Sequence, residues 1–384
     1  MANLNSRFKE NFGILTRIIN SQNFSFSKLL QYLEKVEPKT EEHPSKKNDP
    51  VPYSTPKPNR ELTLVITEKC NLKCAYCLRN SQPNDKKEIP FPVLKKIILS
   101  AHRFGIKSFS ITGGEPLIYS HWQELIKLIG TLKSSVFIET NGSLLEEEDI
   151  IFLENTLENR INKILISLGG YESATHNEFR GQGTFVKAVK AIKLLHKHNI
   201  SIETNILLSP LNLMSEEDIL KYIKFNKDLG VSEVIFGGMV GLGRAQDSKF
   251  LLSENQYIQI NKIFAKHNYF MDEKDIKVRS ESFQKALDVQ PCQRLGQEIS
   301  VSPNGLHPCI FHTYTLKIGD FKDFEALLYS DFLSSLYSAG VAMQKYSKKE
   351  EFFSCGKCIK YLPQWLSLIK KKTFIYSGQE YEKN

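Results

Sequence analysis

The sequence lacks the features that would place the chain in a membrane or send it out of the cell. Its longest uncharged apolar run, Val234 to Gly243, is too short to cross a bilayer and contains four glycines. The first twenty residues carry Arg7, Lys9, Glu10 and Arg17 with no apolar block between them, so no secretory signal is visible. We therefore expect a cytoplasmic protein with no membrane partner.

The sequence also lacks a concentration of charge of one sign. It has 51 basic and 43 acidic side chains among 384 residues, a net charge of +8. A nucleic-acid groove requires a clustered basic stripe with interleaved aromatic residues, and basic runs such as Lys370 to Lys372 are short. Nucleic acid is therefore not the expected partner. The length with 41% hydrophobic residues allows a large core and predicts two domains or one large domain with appendages.

Cysteine is scarce, and its count is odd. In a reducing compartment seven cysteines indicate metal binding or catalysis, because disulfides are not favoured there. They divide into a group of three, Cys70, Cys74 and Cys77, and a group of four, Cys292, Cys309, Cys355 and Cys358.

The first group has the spacing Cys-x3-Cys-x2-Cys and follows a predicted strand. Three such thiols can each hold one iron of a cubane cluster while the fourth iron keeps an open position. The alternative is zinc, which in closed sites usually takes four protein ligands and favours Cys-x2-Cys pairs. With Asn71 and Leu72 after the first cysteine and Tyr76 before the last, the motif resembles the radical SAM superfamily. The resemblance implies a 4Fe-4S cluster whose open iron binds S-adenosyl-L-methionine, with Tyr76 against the adenine.

From residue 61 the pattern alternates between strand and helix. The predicted strands are Leu62 to Thr67, Ser108 to Thr112, Val136 to Thr140, Lys163 to Ser167, Ser201 to Leu207 and Glu233 to Phe236. The predicted helices lie near 91–104, 119–132, 146–156, 184–198 and 215–229. Such alternation indicates a parallel α/β sheet with its chemistry at the carboxyl ends of the strands. The resemblance implies a partial (β/α)6 barrel.

Two motifs follow the second and third strands. Gly113 and Gly114 begin a Gly-Gly-Glu-Pro turn, where the missing Cβ atoms let backbone approach a ligand closely. The resemblance implies that this turn, with Glu115, receives the amino group of S-adenosyl-L-methionine. Asn141 lies in a Thr-Asn-Gly sequence that the resemblance places on the same cofactor, and a simple Asn-Gly turn is the alternative.

Two further residues belong to the segment after the fourth strand. The resemblance implies that Ser167 and Arg180 contact the ribose or carboxylate of the cofactor, and an arginine fork suits a carboxylate. Gly169 departs from the pattern, because relatives usually have Asp there. His176 is predicted to begin a helix, with proton transfer as the alternative. The glycine-rich segment Gly237 to Ala245 is predicted to be a loop at the barrel mouth.

Beyond about residue 270 we expect the parallel alternation to stop. Glu298 to Ser302 and Leu306 to Ile310 flank Pro-Asn-Gly, a pattern typical of a β-hairpin. The second group of cysteines surrounds this hairpin and could form a closed four-thiolate site, which fits zinc as well as iron–sulfur. Behind a radical SAM core the group resembles the Twitch domain, a shortened SPASM domain, which implies a small α+β domain with an auxiliary 4Fe-4S cluster.

These patterns divide the chain into five segments. They are an N-terminal helical segment (1–36), a linker (37–60), a radical SAM core (61–270), a Twitch-like domain (271–365) and a C-terminal tail (366–384).

The resemblance implies an oxidoreductase. An external donor such as flavodoxin or ferredoxin reduces the first cluster, the cofactor yields a 5′-deoxyadenosyl radical, and the auxiliary cluster accepts the electron left on the substrate. The substrate is a ribosomal peptide that is oxidised or cross-linked, or alternatively a small molecule in cofactor, sugar or antibiotic biosynthesis. A non-catalytic iron–sulfur or zinc scaffold is the third hypothesis. The sequence identifies no general base.

Overall fold

A computed structural model describes residues 61–212, 215–246, 248–267, 276–280, 298–310, 313 and 316–328. The predicted N-terminal helical segment, linker and C-terminal tail lie outside the described residues, as do Cys292, Cys355 and Cys358. Among the described helices none is both long and apolar enough to cross a bilayer.

One sheet organises this part of the chain. Its strands are β1 (Glu61–Val65), β2 (Ser108–Thr112), β3 (Ser135–Thr140), β4 (Ile161–Ser167), β5 (Ile202–Leu208), β6 (Glu233–Gly238), β7 (Lys277–Ser280), β8 (Ile299–Ser302) and β9 (Gly305–His307). Their order in the sheet is β7-β6-β5-β4-β3-β2-β1-β8-β9. Every neighbouring pair from β7 to β8 is parallel, and β8 and β9 are antiparallel.

Helices connect the parallel strands, as strand–helix–strand units require. They are α1 (Phe91–Arg103), α2 (Trp122–Thr131), α3 (Glu147–Leu157), α4 (Ser173–Arg180), α5 (Thr184–Lys197), α6 (Glu216–Asp228) and α7 (Glu254–Lys266), and a further helix, α8 (Phe324–Leu328), follows β9. In α1 the buried residues Leu94, Ile97, Ile98 and Ala101 recur at helical spacing, so one stripe of the helix packs on the sheet.

The two faces of the sheet have different chemistry. Side chains alternate between faces along a strand, and Leu62 and Leu64 of β1 join the apolar core beneath the helices. Between them, Thr63 faces a cavity on the opposite side. The same alternation separates core residues Ile164 and Ile166 of β4 from the cavity-lining residues around them. One face therefore supports the fold, and the other is left for a ligand.

The sheet curves around this cavity. Thr63 of β1 and Arg279 of β7 both line it, although six strand steps separate them. In a flat sheet such strands would lie about 29 Å apart, at about 4.8 Å for each step. A partial barrel accounts for their meeting at one cavity, and the predicted fold class is confirmed in this part of the chain.

Two features differ from the expectations from sequence. Parallel pairing continues beyond residue 270, since β7 pairs with β6 and β8 pairs with β1. The segment α4 forms a helix with His176 in its interior, not at its start. The strand partners of β7 and β8 and the position of His176 in α4 are not encoded by near neighbours in the sequence. Tertiary pairing and packing determine them instead. The division into domains at residue 270 stays a prediction.

Candidate functional site

A cavity of about 540 Å³ opens where β1 to β6 end, and it is lined by residues from every strand between β1 and β7. The structure brings nine of the predicted site residues to its wall: Cys70, Cys74, Tyr76, Cys77, Gly113, Gly114, Asn141, Ser167 and Arg180. They come from three loops, the end of β4 and one helix, so the fold assembles the site from distant parts of the sequence.

The loop that carries the three cysteines is fixed by backbone hydrogen bonds. The Cys70 amide donates to the Gln82 carbonyl at 3.3 Å, and the Cys77 amide donates to the Cys74 carbonyl at 3.2 Å. The Ala75 amide donates to the Phe179 carbonyl in α4 at 2.8 Å. The loop is therefore closed on itself and attached to the helix that carries Arg180.

Burial controls the chemistry of the thiols. Cys70 is 7% exposed, and burial raises its pKa to about 12 despite a hydrogen bond from the Leu72 amide. Burial also raises the pKa of Cys74. A buried thiol of this kind becomes a thiolate when a bound cation compensates its charge. These thiols are therefore better suited to bind a metal than to act as exposed nucleophiles.

The spread of the thiols bears on which metal group fits. None of Cys70, Cys74 and Cys77 is in a disulfide, and all three line the cavity. Within the described ranges no three His, Cys, Asp or Glu side chains are close enough together to hold one metal ion. A cubane cluster binds each cysteine through a different iron, so it accepts thiols spread around a cavity. The arrangement fits a cluster better than a single zinc.

The Gly-Gly turn packs against the cysteine loop. The Gly114 amide donates to the Thr67 carbonyl at 2.7 Å, and the Glu115 amide donates to the Lys69 carbonyl at 2.9 Å. A Cβ on Gly113 would lie 2.7 Å from the Thr67 oxygen, and one on Gly114 would overlap the Lys69 carbonyl. The close backbone approach is therefore made to the segment that leads into Cys70.

Glu115 is not among the residues that line the cavity. Its carboxylate is fully buried and accepts hydrogen bonds from Thr140 Oγ1 at 2.7 Å and the Asn141 amide at 2.9 Å. It also accepts from the Leu117 amide at 3.2 Å. Burial raises the pKa of Glu115 to about 7, and these three bonds oppose the shift. Glu115 joins the turn after β2 to the turn after β3.

Asn141 has a similar joining role and also lines the cavity. Its Nδ2 donates to Asn71 Oδ1 at 2.9 Å and approaches Cys70 Sγ at 3.9 Å. Its Oδ1 accepts from the Ser143 amide at 2.9 Å, and Ser143 Oγ accepts from Asn71 Nδ2 at 2.8 Å. This network holds the first cysteine, and sequence reasoning did not identify Asn71 or Ser143 as part of the site.

Tyr76 and Arg180 are in contact. The Arg180 guanidinium lies 5.4 Å from the centroid of the Tyr76 ring, which also packs on Phe179. Arg180 is 8% exposed, and its buried Nε has no hydrogen-bond partner among the residues that the structure describes. A buried donor without an acceptor is costly, so this atom is suited to an anionic or polar ligand group.

His176 lies behind the cavity wall. It is 1% exposed, and its Nδ1 is the acceptor for the Gly169 amide at 3.1 Å. Burial and the nearby Arg180 charge lower the pKa of His176 to about 3, so the ring is neutral. This geometry makes His176 a residue that positions the turn after β4.

Arg244 was assigned no contact from the sequence, and the structure gives it one. Its Nε donates to the Cys74 carbonyl and its Nη2 donates to the Ser81 carbonyl, both at 2.7 Å. Gly243 has a φ of +57°, and a Cβ there would overlap the carbonyls of Cys77 and Leu78. The loop after β6 thus clamps the cysteine loop. The Gly-Arg-Ala sequence at residues 243–245 was the feature of the sequence that could have indicated this contact.

Charged residues at the start of the strands form the floor of the cavity. Lys163 Nζ lies between the carboxylates of Glu203 and Glu233, 2.5 Å from each, and Arg279 Nη2 lies 3.3 Å from Glu203. Burial raises the pKa of Glu203 to about 7. Polar residues inside otherwise apolar parallel strands, as in Ile-Glu-Thr-Asn, were the sequence signal for this floor.

The second cysteine group is described only at Cys309. It is buried just after β9, and its neighbour Ile310 lines the cavity. Cys292, Cys355 and Cys358 lie outside the described residues, so the predicted four-thiolate site stays a prediction.

Comparison with known proteins gives a consistent result. Residues 64–213 match the model of the Radical SAM superfamily. The antilisterial bacteriocin subtilosin biosynthesis protein AlbA of Bacillus subtilis (strain 168) is 25% identical over 289 residues, which cover 72% of this chain and 61% of AlbA. A GTP 3′,8-cyclase of Clostridium perfringens is 28% identical over 167 residues, 42% of this chain and 50% of the cyclase. The chain therefore spans less than two thirds of either relative.

Solved structures support the fold. Streptococcus suis SuiB bound to S-adenosylmethionine matches with a TM-score of 0.59 and 19% identity, over 73% of this chain and 67% of SuiB. SuiB bound to its precursor peptide SuiA matches with a TM-score of 0.57 and 18% identity, over 86% of this chain and 78% of SuiB.

Proposed function

We propose that this chain, which contains a Radical SAM domain over residues 64–213, is a radical SAM oxidoreductase that modifies a peptide. The observation that carries the proposal is that the three thiols of the cysteine loop line the same cavity as Tyr76 and Arg180. In the proposal Cys70, Cys74 and Cys77 hold a 4Fe-4S cluster. S-adenosyl-L-methionine binds beside it.

When one electron enters the bound cluster, S-adenosyl-L-methionine supplies a 5′-deoxyadenosyl radical that can remove hydrogen from an unactivated carbon. In this proposal the residues of the chain bind the cofactor and orient it. Tyr76 offers an aromatic face, and Arg180 Nε offers an unused donor beside it. Ser167 and Asn141 add short polar side chains at the same wall.

The auxiliary cluster is proposed for the second cysteine group. Cys309 is adjacent to Ile310 at the cavity wall, so a cluster held there would lie near the substrate. A cluster with four cysteine ligands has no open iron, which favours the transfer of electrons over the binding of substrate. It would accept the electron left on the substrate, while an external donor such as flavodoxin or ferredoxin would reduce the first cluster.

A peptide is favoured over a small molecule by how far the similarities extend. AlbA, a bacteriocin biosynthesis protein, matches 72% of this chain, and SuiB, solved with a precursor peptide, matches 86%. The GTP 3′,8-cyclase matches 42% and is the basis of the second candidate, a small-molecule cyclase. The matches to the two peptide-related proteins are longer than the match to the cyclase, which supports a peptide as the substrate.

Anaerobic reconstitution tests the proposal. The reconstituted protein, dithionite and S-adenosyl-L-methionine should give 5′-deoxyadenosine, and Cys70→Ala should give none. A scaffold would give none with the unchanged protein. Incubation with a short peptide encoded beside the gene should remove two hydrogen atoms from it, measured by mass spectrometry. Conversion of GTP to a cyclised isomer, separated by chromatography, with no change in the peptide, would support the second candidate.

A further inference from the structure

We propose that Arg79 and Ser81 form a subsite for an anionic group of the substrate. Both residues line the same cavity as the three cysteines. The inference rests on the proposed function, because it takes this cavity to be the place where substrate binds. Neither residue belongs to the cysteine motif, and neither was singled out by the sequence.

The backbone on both sides of Arg79 is held by hydrogen bonds. It lies two residues after Cys77, whose carbonyl accepts hydrogen bonds from the Asn80 amide at 3.2 Å and the Arg244 amide at 3.0 Å. On its other side the Ser81 carbonyl accepts from Arg244 Nη2 at 2.7 Å. The backbone is thus tied on both sides of Arg79, so its side chain projects from a fixed point.

The polar atoms of this pair are unused. Arg79 Nε and Nη2 and Ser81 Oγ are buried without a hydrogen-bond partner in the part of the chain that the structure describes. Ser81 is 2% exposed. Buried donors without acceptors destabilise a folded protein, and the penalty is larger when the donor belongs to a charged group such as a guanidinium. A ligand that enters the cavity can supply the missing acceptors, as can bound water.

Other cationic side chains of the cavity already have a partner or an assigned role, which leaves Arg79 for an anionic ligand. On the floor, Lys163 and Arg279 already pair with Glu203. At the mouth, Arg180 lies over Tyr76, which the proposed function gives to the cofactor. Arg79 Nε and Nη2 have no hydrogen-bond partner among the described residues, so they can receive an anionic group of a ligand that enters the cavity.

The chemistry of the pair selects a carboxylate or a phosphate. A guanidinium presents parallel N–H groups that match two oxygens of either anion, and a serine hydroxyl donates a further hydrogen bond. In a peptide the carboxylate would be an acidic side chain or the C-terminus. In a nucleotide the anion would be phosphate. The two sources are separated by the choice of probe.

The test measures anion binding by the anaerobically reconstituted holoprotein in the presence of S-adenosyl-L-methionine. The probes are N-acetyl-L-glutamate α-amide and inorganic phosphate, each titrated while the melting temperature is recorded. We expect a saturable rise with at least one probe. Arg79→Gln should weaken that response at least tenfold, and Ser81→Ala should weaken it less. Arg103→Gln is the matched control, because its guanidinium lies on an exposed surface.

Three results would overturn the inference. The unchanged protein could respond to neither probe, or Arg79→Gln could respond as strongly as the control. Arg79→Gln could also lose tenfold affinity for S-adenosyl-L-methionine, which would assign Arg79 to the cofactor. If Arg79→Gln does not fold, Ser81→Ala decides in the same way. A protein that forms 5′-deoxyadenosine but binds neither probe refutes the subsite alone, whereas one that binds a probe but forms none refutes the proposed function alone.

Discussion

The Asn304 side-chain amide donates a hydrogen bond of 2.7 Å to the Glu68 carboxylate, across 236 positions of the sequence. Glu68 is 8% exposed and lies two residues before Cys70, and Asn304 lies in the turn between β8 and β9, which leads to Cys309. A second bond, from Thr63 Oγ1 to Glu298 Oε1 at 2.9 Å, joins β1 to the entry of β8. The hairpin is thus attached to the segment that carries the first cysteines.

Asn304→Ala should lower the free energy of unfolding by about 1–2 kcal/mol, because a hydrogen bond to a buried carboxylate is lost. Asn304→Asp should cost more, since it places two carboxylates together. Urea denaturation of both variants, of Glu68→Gln and of Asn304→Ala/Glu68→Gln measures the coupling, which we expect to be about 1 kcal/mol. Additive effects of the single changes would show that the bond contributes nothing.

Gly114→Ala should prevent the cysteine loop from closing. The added methyl group would overlap the Lys69 carbonyl, which is backbone and cannot move aside without shifting Cys70. Gly169→Ala is the matched control, because a Cβ there would lie 3.6 Å from its nearest neighbour, His176 Cα. We expect loss of soluble protein or of several degrees in melting temperature for the first variant and little change for the second. Equal melting temperatures would contradict the packing described here.

The sequence predicted the parts of the fold that have local periodicity. The six predicted strands from β1 to β6 and the helices α1, α2, α3, α5 and α6 are present within a few residues of their predicted bounds. Each combines an apolar stripe with a turn residue, and such patterns depend only on near neighbours. The pairing of β8 with β1 does not, because its partner is more than 200 residues away. That pairing is visible only in the folded chain.

The site was predictable to a similar extent. Spacing located Cys70, Cys74 and Cys77 because ligands of one cluster lie close in sequence. It could not distinguish a residue that lines the cavity from one that supports the wall. Glu115 belongs to the same turn as Gly113 and Gly114, yet its carboxylate binds Thr140 and two backbone amides. Such roles depend on which donors surround a side chain after folding.

Glu115→Gln should change how stability depends on pH. Burial raises the pKa of Glu115 from its ordinary value of 4.5 to about 7, so the folded state holds the proton more tightly than the unfolded state. The stabilising effect of this proton is complete below pH 4.5 and is lost as the pH rises through 7. Relative to the glutamine variant, the free energy of unfolding should fall by up to about 3 kcal/mol across this range.

Urea denaturation at several pH values between 5.5 and 8.5 measures this difference. Glu203 also has a pKa raised to about 7, but it titrates in both proteins and cancels when the two curves are subtracted. Parallel curves for the two proteins would mean that Glu115 keeps an ordinary pKa. A decrease that is larger in the unchanged protein than in the glutamine variant would support the raised pKa of Glu115.

Arg244→Met should loosen the cysteine loop from the side opposite the Gly-Gly turn. The substitution removes two hydrogen bonds of 2.7 Å and leaves the Cys74 and Ser81 carbonyls without this donor. Since each bond from a charged donor contributes about 1.5–3 kcal/mol and two are lost, we expect a loss of at least about 3 kcal/mol in the free energy of unfolding. The stability of Arg244→Lys should lie between that of the unchanged protein and that of Arg244→Met, because an ammonium lacks the planar fork that reaches both carbonyls.

Arg103→Met is the control for removing an arginine from this protein. Its guanidinium is 68% exposed and lies 3.7 Å from Glu325, so its loss should change stability by less than about 0.5 kcal/mol. Iron and sulfide per chain after anaerobic reconstitution provide the second measurement. If the clamp holds the cysteine ligands in place, Arg244→Met should retain clearly less iron than Arg103→Met. Equal iron contents together with equal stabilities would show that the loop after β6 does not control the cysteine loop.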